Sequence, residues 1–175
     1  MFAGDMSFAD DVTFVLLRAK PGEQLPVLPV KPTTFSWEPA IVSIESLKEF
    51  DRAFAGWLDA MTMSGEIRSN LILSGRELVT NAIRYTPNSA PFCRVDVRIR
   101  NDSVILTVSD NGPFFDIAKT IEWETRRIDA TPHDKESGRG LYLVSRLAKK
   151  IICEELVGRK KIVATFPMPS PTIPL

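Results

Sequence analysis

A carboxylate and a carboxamide lie four residues apart at Glu77 and Asn81, inside the stretch GRELVTNAIRY at residues 75–85. On an α-helix, residues i and i+4 share one face, so these two side chains would point to the same place. Such a pair could hold a hydrated Mg²⁺ that carries a nucleotide, because Mg²⁺ takes few protein oxygens and keeps several waters. The alternative for the same spacing is two solvated side chains or a surface hydrogen bond.

Two stretches further along the chain suit the same kind of ligand. Asp110-Asn111-Gly112 ends an apolar strand, and Ser137-Gly138-Arg139-Gly140-Leu141 opens an apolar helix. Backbone amides and the helix dipole favour an anion such as phosphate at a helix N-terminus. Taken singly, Asp-Asn-Gly is also a frequent turn sequence, and Gly-x-Gly is also a common junction between a loop and a helix. The order and spacing of the three stretches together predict a ligand site.

The periodicity of the apolar residues predicts the elements that would position these groups. Helical spacing predicts helices over Ser46–Met63, Glu66–Tyr85 and Gly140–Lys149, with a short helix near Ile117–Trp123. Alternation and β-branched content predict strands over Val12–Arg18, within Phe35–Ile44, and over Val95–Arg100, Val104–Ser109, Ile151–Leu156 and Ile162–Phe166. Such elements predict an α+β fold, a two-layer α/β sandwich with helices on one face of a mixed, mostly antiparallel sheet.

Composition narrows the functional classes. The chain has 175 residues, 22 Lys+Arg and 22 Asp+Glu, so its charge favours neither nucleic acid nor an anionic membrane. No apolar run approaches the ~20 residues of a membrane helix, and no signal peptide is visible, so we expect a cytoplasmic protein. Cys93 and Cys153 form no metal-type cluster and are expected to be reduced. His133 is the only histidine, which excludes a multi-histidine metal site.

A helix with Glu-x-x-x-Asn, two strands, Asp-x-Gly, a long gap and Gly-x-Gly at a helix start resembles the GHKL ATPases. These include gyrase, Hsp90, sensor histidine kinases and mismatch-repair ATPases, which share the Bergerat ATP-binding fold. The resemblance implies ATP and Mg²⁺ as ligands, with Glu77 as general base toward the γ-phosphate and Asn81 as the Mg²⁺ ligand. It also implies that Asp110 accepts the adenine amine, and that Gly112 lets the backbone approach the base.

The same resemblance places the phosphates at the second glycine stretch. Gly138, Arg139, Gly140 and Leu141 would bind them, and residues 113–136 would form a mobile lid. Basic side chains nearby are candidates for phosphate contacts, although the preferred interpretation of each is an ordinary solvated charge: Arg84, Arg126, Arg127 and Lys135. Trp123, within the lid, is expected to be a core or half-buried anchor.

The amino-acid sequences of two segments resemble one branch of the family in particular. Residues 77–87 and 138–144 look like the small bacterial anti-sigma-factor serine kinases, and the resemblance covers residues 35–167. It implies serine phosphorylation of a small anti-sigma-factor antagonist protein, a sigma factor as a further partner, and a homodimer. No histidine precedes residue 133, so autophosphorylation on histidine is not expected. The alternative is a non-catalytic nucleotide-sensing module that regulates a fused serine phosphatase.

One departure from the family concerns the last strand. The family usually has a threonine there, near the adenine, whereas this chain is expected to place Lys161 near that position and Thr165 further along. Adenine recognition is therefore less clearly encoded than phosphate recognition.

The N-terminus carries a second resemblance. Residues 9–18, ADDVTFVLLR, are similar to the last metal-binding strand of bacterial metal-dependent serine phosphatases. The predicted organisation is a phosphatase remnant at 1–20, a Pro-rich linker at 21–34, the ATP-binding kinase-like domain at 35–167 and a flexible tail at 168–175. The alternative for the first segment is an ordinary strand.

Overall fold

A five-stranded sheet forms one layer of the described part of the chain, which covers residues 33–87, 89–100, 102–130 and 139–168 of a computed structural model. The strand order is β1-β2-β3-β5-β4, and each of these neighbouring pairs is antiparallel. The strands are β1 (Thr34–Trp37), β2 (Cys93–Ile99), β3 (Ser103–Asp110), β4 (Lys150–Leu156) and β5 (Arg159–Pro167). The β4–β5 hairpin turns at Gly158, whose φ of 68° is a left-handed conformation that glycine adopts without strain.

Within the described residues, four helices accompany the sheet: α1 (Ile44–Asp59), α2 (Gly65–Tyr85), α3 (Ile117–Ala130) and α4 (Gly140–Leu147). Serine side chains begin the first two helices, because Ser43 and Ser64 accept hydrogen bonds from the first-turn amides of Ser46 and Ile67. Asp116 begins α3 in the same way, since its carboxylate accepts from the amide of Ala118 at 3.1 Å and from that of Lys119 at 3.2 Å.

The hydrophobic core lies between the helices and one face of the sheet. Alternate residues of the three central strands point into it, and α1 and α2 add large side chains. The buried strand residues are Val95, Val97, Val104, Leu106, Val108, Ile162, Ala164 and Phe166, and the buried helix residues include Phe50, Phe54, Leu71 and Leu78. The intervening residues of β2, Arg94, Asp96 and Arg98, lie on the opposite, more exposed face.

The predicted α+β two-layer sandwich is confirmed, and the sheet pairings among the described strands are all antiparallel rather than mixed. The helix predicted near residues 117–123 is longer and extends to Ala130. No helix in the described residues is long and apolar enough to cross a membrane. The predicted strand at 12–18, the phosphatase remnant, residues 21–32 of the predicted linker and most of the tail lie outside the described residues, as do Gly138, Lys135 and His133. The linker was predicted to reach residue 34, but Thr34 already begins β1.

Candidate functional site

A cavity of about 590 Å³ lies where α2, α3 and α4 meet the ends of β3 and β5. This volume falls in the range of small-molecule sites. Six of the eight residues predicted for the site line the cavity: Glu77, Asn81, Asp110, Arg139, Gly140 and Leu141. Gly112 lies directly behind Asp110, and Gly138 lies outside the described residues. Helix α2 and two stretches that are distant from it in sequence therefore meet at one cavity.

Helix α2 presents Glu77 and Asn81 to the cavity from the turns next to buried Leu78 and Ala82. The helix can lie this close to the core because Gly75 has no side chain. A Cβ at Gly75 would come within 3.0 Å of the Phe54 ring. The packing of α2 on α1 therefore fixes the orientation in which the carboxylate and the carboxamide reach the cavity.

The start of α4 lies against these two side chains. A Cβ on Gly140 would lie 2.5 Å from Glu77 Oε2 and 3.5 Å from Asn81 Nδ2. Only a residue without a side chain allows this approach without displacing the carboxylate. The N-cap residue Arg139 makes no side-chain hydrogen bond to the first turn of α4.

A third helix also contributes a carboxylate here. Glu124 of α3 is only 7% exposed, and its Oε2 accepts a hydrogen bond of 2.8 Å from the backbone N–H of Tyr142 in the first turn of α4. Burial raises the pKa of Glu124, and the Glu77 carboxylate raises it further, while the Tyr142 amide and Arg127 act in the opposite direction. We call Glu77, Asn81, Glu124 and Gly140 the helix end of the cavity.

The opposite side of the cavity is built from the sheet. Asp110 ends β3 and is 1% exposed, and its Oδ1 accepts a hydrogen bond of 2.7 Å from the backbone N–H of Gly112. The same oxygen forms a hydrogen-bonded ion pair with Lys160 Nζ from β5. A Cβ on Gly112 would lie 2.7 Å from Lys160 Nζ and 2.8 Å from the carbonyl oxygen of Tyr85. We call Asp110, Gly112 and Lys160 the sheet end of the cavity.

The prediction for the last strand was wrong by one residue. Lys160, not Lys161, reaches the cavity, because the register of β3 and β5 pairs Asp110 with Lys160 and Ser109 with Lys161. Lys161 lies on the other face and forms an ion pair of 2.7 Å with Glu154. The sequence contains the signal, since Ile162, Ala164 and Phe166 alternate toward the core and two residues back is Lys160.

Glu124 is the second site residue that sequence reasoning missed. It falls at helical spacing with Ile117, Ile121 and Ile128, so the apolar stripe of α3 contains one acidic residue. Its role follows only from the fold, which brings α3 against the start of α4.

Asn111, between Asp110 and Gly112, has a structural role. Its Oδ1 accepts hydrogen bonds from the Phe92 amide at 3.0 Å and from the Thr86 hydroxyl. Its Nδ2 donates to the Ala90 carbonyl oxygen at 2.6 Å. The side chain therefore ties the segment that follows α2 to the end of β3.

Of the basic candidates, Arg84 and Arg139 line the cavity. Arg126 forms an exposed ion pair of 2.5 Å with Glu122 on α3, and Arg127 lies over the Trp123 ring. Trp123 is 60% exposed, so its predicted role as a buried anchor was wrong. Helix α3 packs Ile117 and Ile121 against the core, which leaves this tryptophan on the outer side.

Acidic and basic side chains line the cavity in equal number among the described residues. Among the described residues, three acidic side chains line it, Glu77, Asp110 and Glu124, and so do three basic ones, Arg84, Arg139 and Lys160. A polyphosphate would therefore meet carboxylates as well as cations, and a divalent cation would offset that repulsion. Within the described residues, no group of three or more His, Cys, Asp or Glu side chains could hold a metal ion. Asn81, the predicted Mg²⁺ ligand, would therefore have to share the ion with the phosphates and water.

The sequence model of the family described as Histidine kinase-like ATPase domain matches residues 42–166 of this chain. That span is well over half of the 175 residues and contains every predicted site residue. No curated protein matches the chain.

Proposed function

The chain belongs to the family of histidine kinase-like ATPase domains, and from this premise we propose that it is an ATP-dependent protein serine kinase. The family makes it an ATP-binding, kinase-like or ATPase module. The observation that carries the finer proposal is the convergence of Glu77, Asn81 and Gly140 at the helix end, across one cavity from Asp110. A catalytic carboxylate, a metal-ligating amide and a helix N-terminus are the groups that phosphoryl transfer requires.

In the proposed reaction, ATP lies across the cavity with its base at the sheet end and its phosphates at the helix end. Asp110 accepts a hydrogen bond from the exocyclic amine of the base. The first-turn amides of α4, beginning at Gly140 and Leu141, donate to the phosphates, and the dipole of α4 favours their charge. Gly138 belongs to the same proposal by its position in the sequence.

Glu77 acts on the nucleophile. Its carboxylate takes the proton of a serine hydroxyl as the serine oxygen attacks the γ-phosphorus; the bond to the β-phosphate oxygen breaks and ADP leaves. Asn81 Oδ1 would hold Mg²⁺, which when bound neutralises phosphate charge. Arg84 and Arg139 line the cavity and add positive charge near the phosphates.

The proposed acceptor is a small anti-sigma-factor antagonist protein, with a sigma factor as the alternate partner and a homodimer as the working form. The amino-acid sequences of residues 77–87 and 138–144, which resemble the anti-sigma-factor serine kinases, support this proposal. In such a system, phosphorylation of the antagonist decides which partner the kinase holds. The resemblance of residues 9–18 to a phosphatase strand supports a further proposal, that residues 1–20 are the last strand of a metal-dependent serine phosphatase domain.

A second candidate is a nucleotide sensor without catalysis. The structure offers one observation in its favour: protein groups already occupy ligand-binding positions at both ends. Glu124 accepts the Tyr142 amide at the start of α4, and Lys160 is bonded to Asp110. A sensor would exchange these internal contacts for nucleotide contacts without transferring phosphate.

The test is transfer of label from γ-³²P-ATP with Mg²⁺ to a purified serine-bearing antagonist protein, using the full chain and Glu77→Gln. Acid-stable label on the antagonist, lost with Glu77→Gln while ATP still binds, is the expected result. Label that persists in Glu77→Gln would refute the role of that carboxylate. ATP binding without label or phosphate release in the wild type would favour the sensor.

A further inference from the structure

The sheet end of the cavity contains a lysine whose burial needs an explanation. Lys160 is 3% exposed, and lysine is almost never buried without a partner. Its partner is Asp110, which lies directly opposite on β3. Neutralisation of the two charges explains why the lysine is tolerated, but it does not explain why the pair lines a cavity instead of lying in the core.

The pair has hydrogen-bonding capacity that the surrounding protein does not use. Asp110 Oδ1 accepts from the Gly112 amide and from Lys160 Nζ, whereas Asp110 Oδ2 accepts from no group within the described residues. An ammonium group has three N–H donors, and among the same residues Lys160 donates only to Asp110. Oδ2 and the ammonium group therefore offer a ligand an acceptor and a donor side by side.

Two neighbours hold this acceptor and donor in place. A Cβ on Gly112 would lie 2.8 Å from Asp110 Oδ1 and 2.7 Å from Lys160 Nζ, so a residue without a side chain is needed beside them. Lys160 Nζ also lies 5.8 Å from the centre of the Phe115 ring, where a cation is attracted to the ring face. The order of acceptor and donor along the cavity wall is therefore fixed by the protein.

That order matches one edge of adenine. Adenine carries its N6 amine, a donor, next to N1, an acceptor. When N6 donates to Asp110 Oδ2, the neighbouring N1 meets the Lys160 ammonium group, which can only donate. Guanine in the same orientation would bring an acceptor, O6, to the carboxylate and a donor, N1–H, to the ammonium group. The pair therefore complements the N6–N1 edge of adenine in this orientation.

We propose that Lys160 is a specificity-determining residue that donates a hydrogen bond to N1 of adenine while Asp110 accepts from N6. The inference rests on the proposed ATP-binding function and adds a second contact to the base. A lysine that only neutralised Asp110 would not distinguish adenine from an analogue that lacks N1. A lysine that donates to N1 does distinguish them, because a buried donor that loses its acceptor lowers the affinity about tenfold or more.

The first measurement titrates ATP, 1-deaza-ATP and 7-deaza-ATP separately into the full wild-type chain with Mg²⁺, by calorimetry. In 1-deaza-ATP a C–H group replaces N1 and the N6 amine remains, and 7-deaza-ATP is the matched control with the same replacement at N7. The affinity should fall about tenfold or more with 1-deaza-ATP and less than about threefold with 7-deaza-ATP. A loss with 1-deaza-ATP no greater than that with 7-deaza-ATP overturns the inference and leaves the proposed function intact. Absence of ATP binding overturns both.

Two variants then assign the effect to the side chain. Lys160→Met should bind ATP about tenfold more weakly and should bind ATP and 1-deaza-ATP equally, because no donor remains for N1. Lys161→Met is the matched control, since that lysine lies on the opposite face with Glu154, and it should keep the wild-type ratio of the two affinities. A wild-type ratio in a folded Lys160→Met chain contradicts the proposal. If Lys160→Met does not fold, the wild-type titrations still decide, because they need no variant.

Discussion

The two ends of the cavity are built in different ways. The sheet end is made of two hydrogen-bonded neighbours, β3 and β5, whose register brings Asp110 and Lys160 together. The helix end is assembled from three helices that meet only through tertiary packing, and two of its groups, Glu77 and Glu124, carry the same negative charge. We infer that the sheet end has the same structure with and without a ligand. The helix end is expected to rearrange, because the carboxylates of Glu77 and Glu124 must move away from the phosphates when these bind.

The largest expected effect concerns chemistry at the helix end. Glu77→Gln should lower the rate of phosphate transfer or ATP hydrolysis about 100-fold or more, the usual contribution of a positioned general base. The affinity for ATP should be retained or rise by a few fold, because the amide keeps the size of the carboxylate and removes one negative charge beside the phosphates. Single-turnover rates and calorimetry on the same preparation separate the two quantities. A comparable loss of rate in Glu66→Gln, an exposed change at the start of the same helix, would argue against a specific role.

The same glycine-to-alanine change should have different consequences at the two ends. At Gly112 the new methyl group meets the Tyr85 carbonyl oxygen, which is backbone, so Gly112→Ala should lower the free energy of unfolding by about 1–3 kcal/mol. At Gly140 the nearest atoms that the methyl group meets outside its own helix belong to side chains, and its one close contact is the end of the flexible Glu77 side chain. Gly140→Ala should therefore keep stability and reduce turnover about tenfold by turning the carboxylate. Denaturant unfolding and turnover assays test both.

Gly56 supplies the control for this pair. It lies exposed within α1, and a methyl group added there would have nothing within 4 Å, so Gly56→Ala should raise the free energy of unfolding by about 0.5–1 kcal/mol. Equal destabilisation by Gly112→Ala and Gly140→Ala would contradict the inference that the sheet end is rigid and the helix end is adaptable.

A smaller effect is expected where Glu124 holds the start of α4. Glu124→Gln keeps an oxygen for the Tyr142 amide but removes a negative charge from the phosphate position, so the affinity for ATP should rise about two- to fivefold. Glu122→Gln, on the exposed side of the same helix, is the matched control and should have no effect.

The pH dependence follows from the raised pKa of Glu124. The wild-type carboxyl becomes protonated as the pH falls through a pKa that lies above the ordinary value for glutamic acid, so the advantage of Glu124→Gln should shrink as the pH is lowered. Comparison of the two proteins cancels the titration of the phosphates themselves. An advantage that grows toward low pH would contradict this origin.

The smallest expected change is at the sheet end. Cys93 lies opposite Asp110 in the β2–β3 register, and burial together with the Asp110 charge raises the pKa of its thiol to about 12. The thiolate is then negligible at about pH 8, so Cys93 should not react with a disulfide reagent in the folded chain. If the sheet end is preformed, Mg·ATP should leave this protection unchanged. Reaction of Cys93 before ATP is added, and protection afterwards, would show that this end also rearranges.

Much of this arrangement could be predicted from sequence, because apolar periodicity is a local signal. Helix α2 was predicted over 66–85 and begins one residue earlier, and α4 and the four strands β2 to β5 lie within two or three residues of their predicted bounds. The site stretches follow from these elements, since each stretch ends or begins one of them.

The remaining features depend on register and packing, which are not local. A shift of one residue along β5 exchanges Lys160 with Lys161 and reverses which side chain faces the cavity. Glu124 could be assigned to the site only when the packing of α3 on α4 was known. Trp123 was expected to be a core or half-buried anchor, but the stripe that α3 turns inward does not include it.

The central claim is that one Mg·ATP site is formed by the helix end and the sheet end together. Calorimetric titration of ATP into the wild type and into Asn81→Ala, each with and without Mg²⁺, tests it most directly. The account predicts binding that depends on Mg²⁺ in the wild type and falls at least about tenfold in Asn81→Ala. Equal ATP affinity in the two proteins under both conditions, or no binding by the wild type, would contradict it.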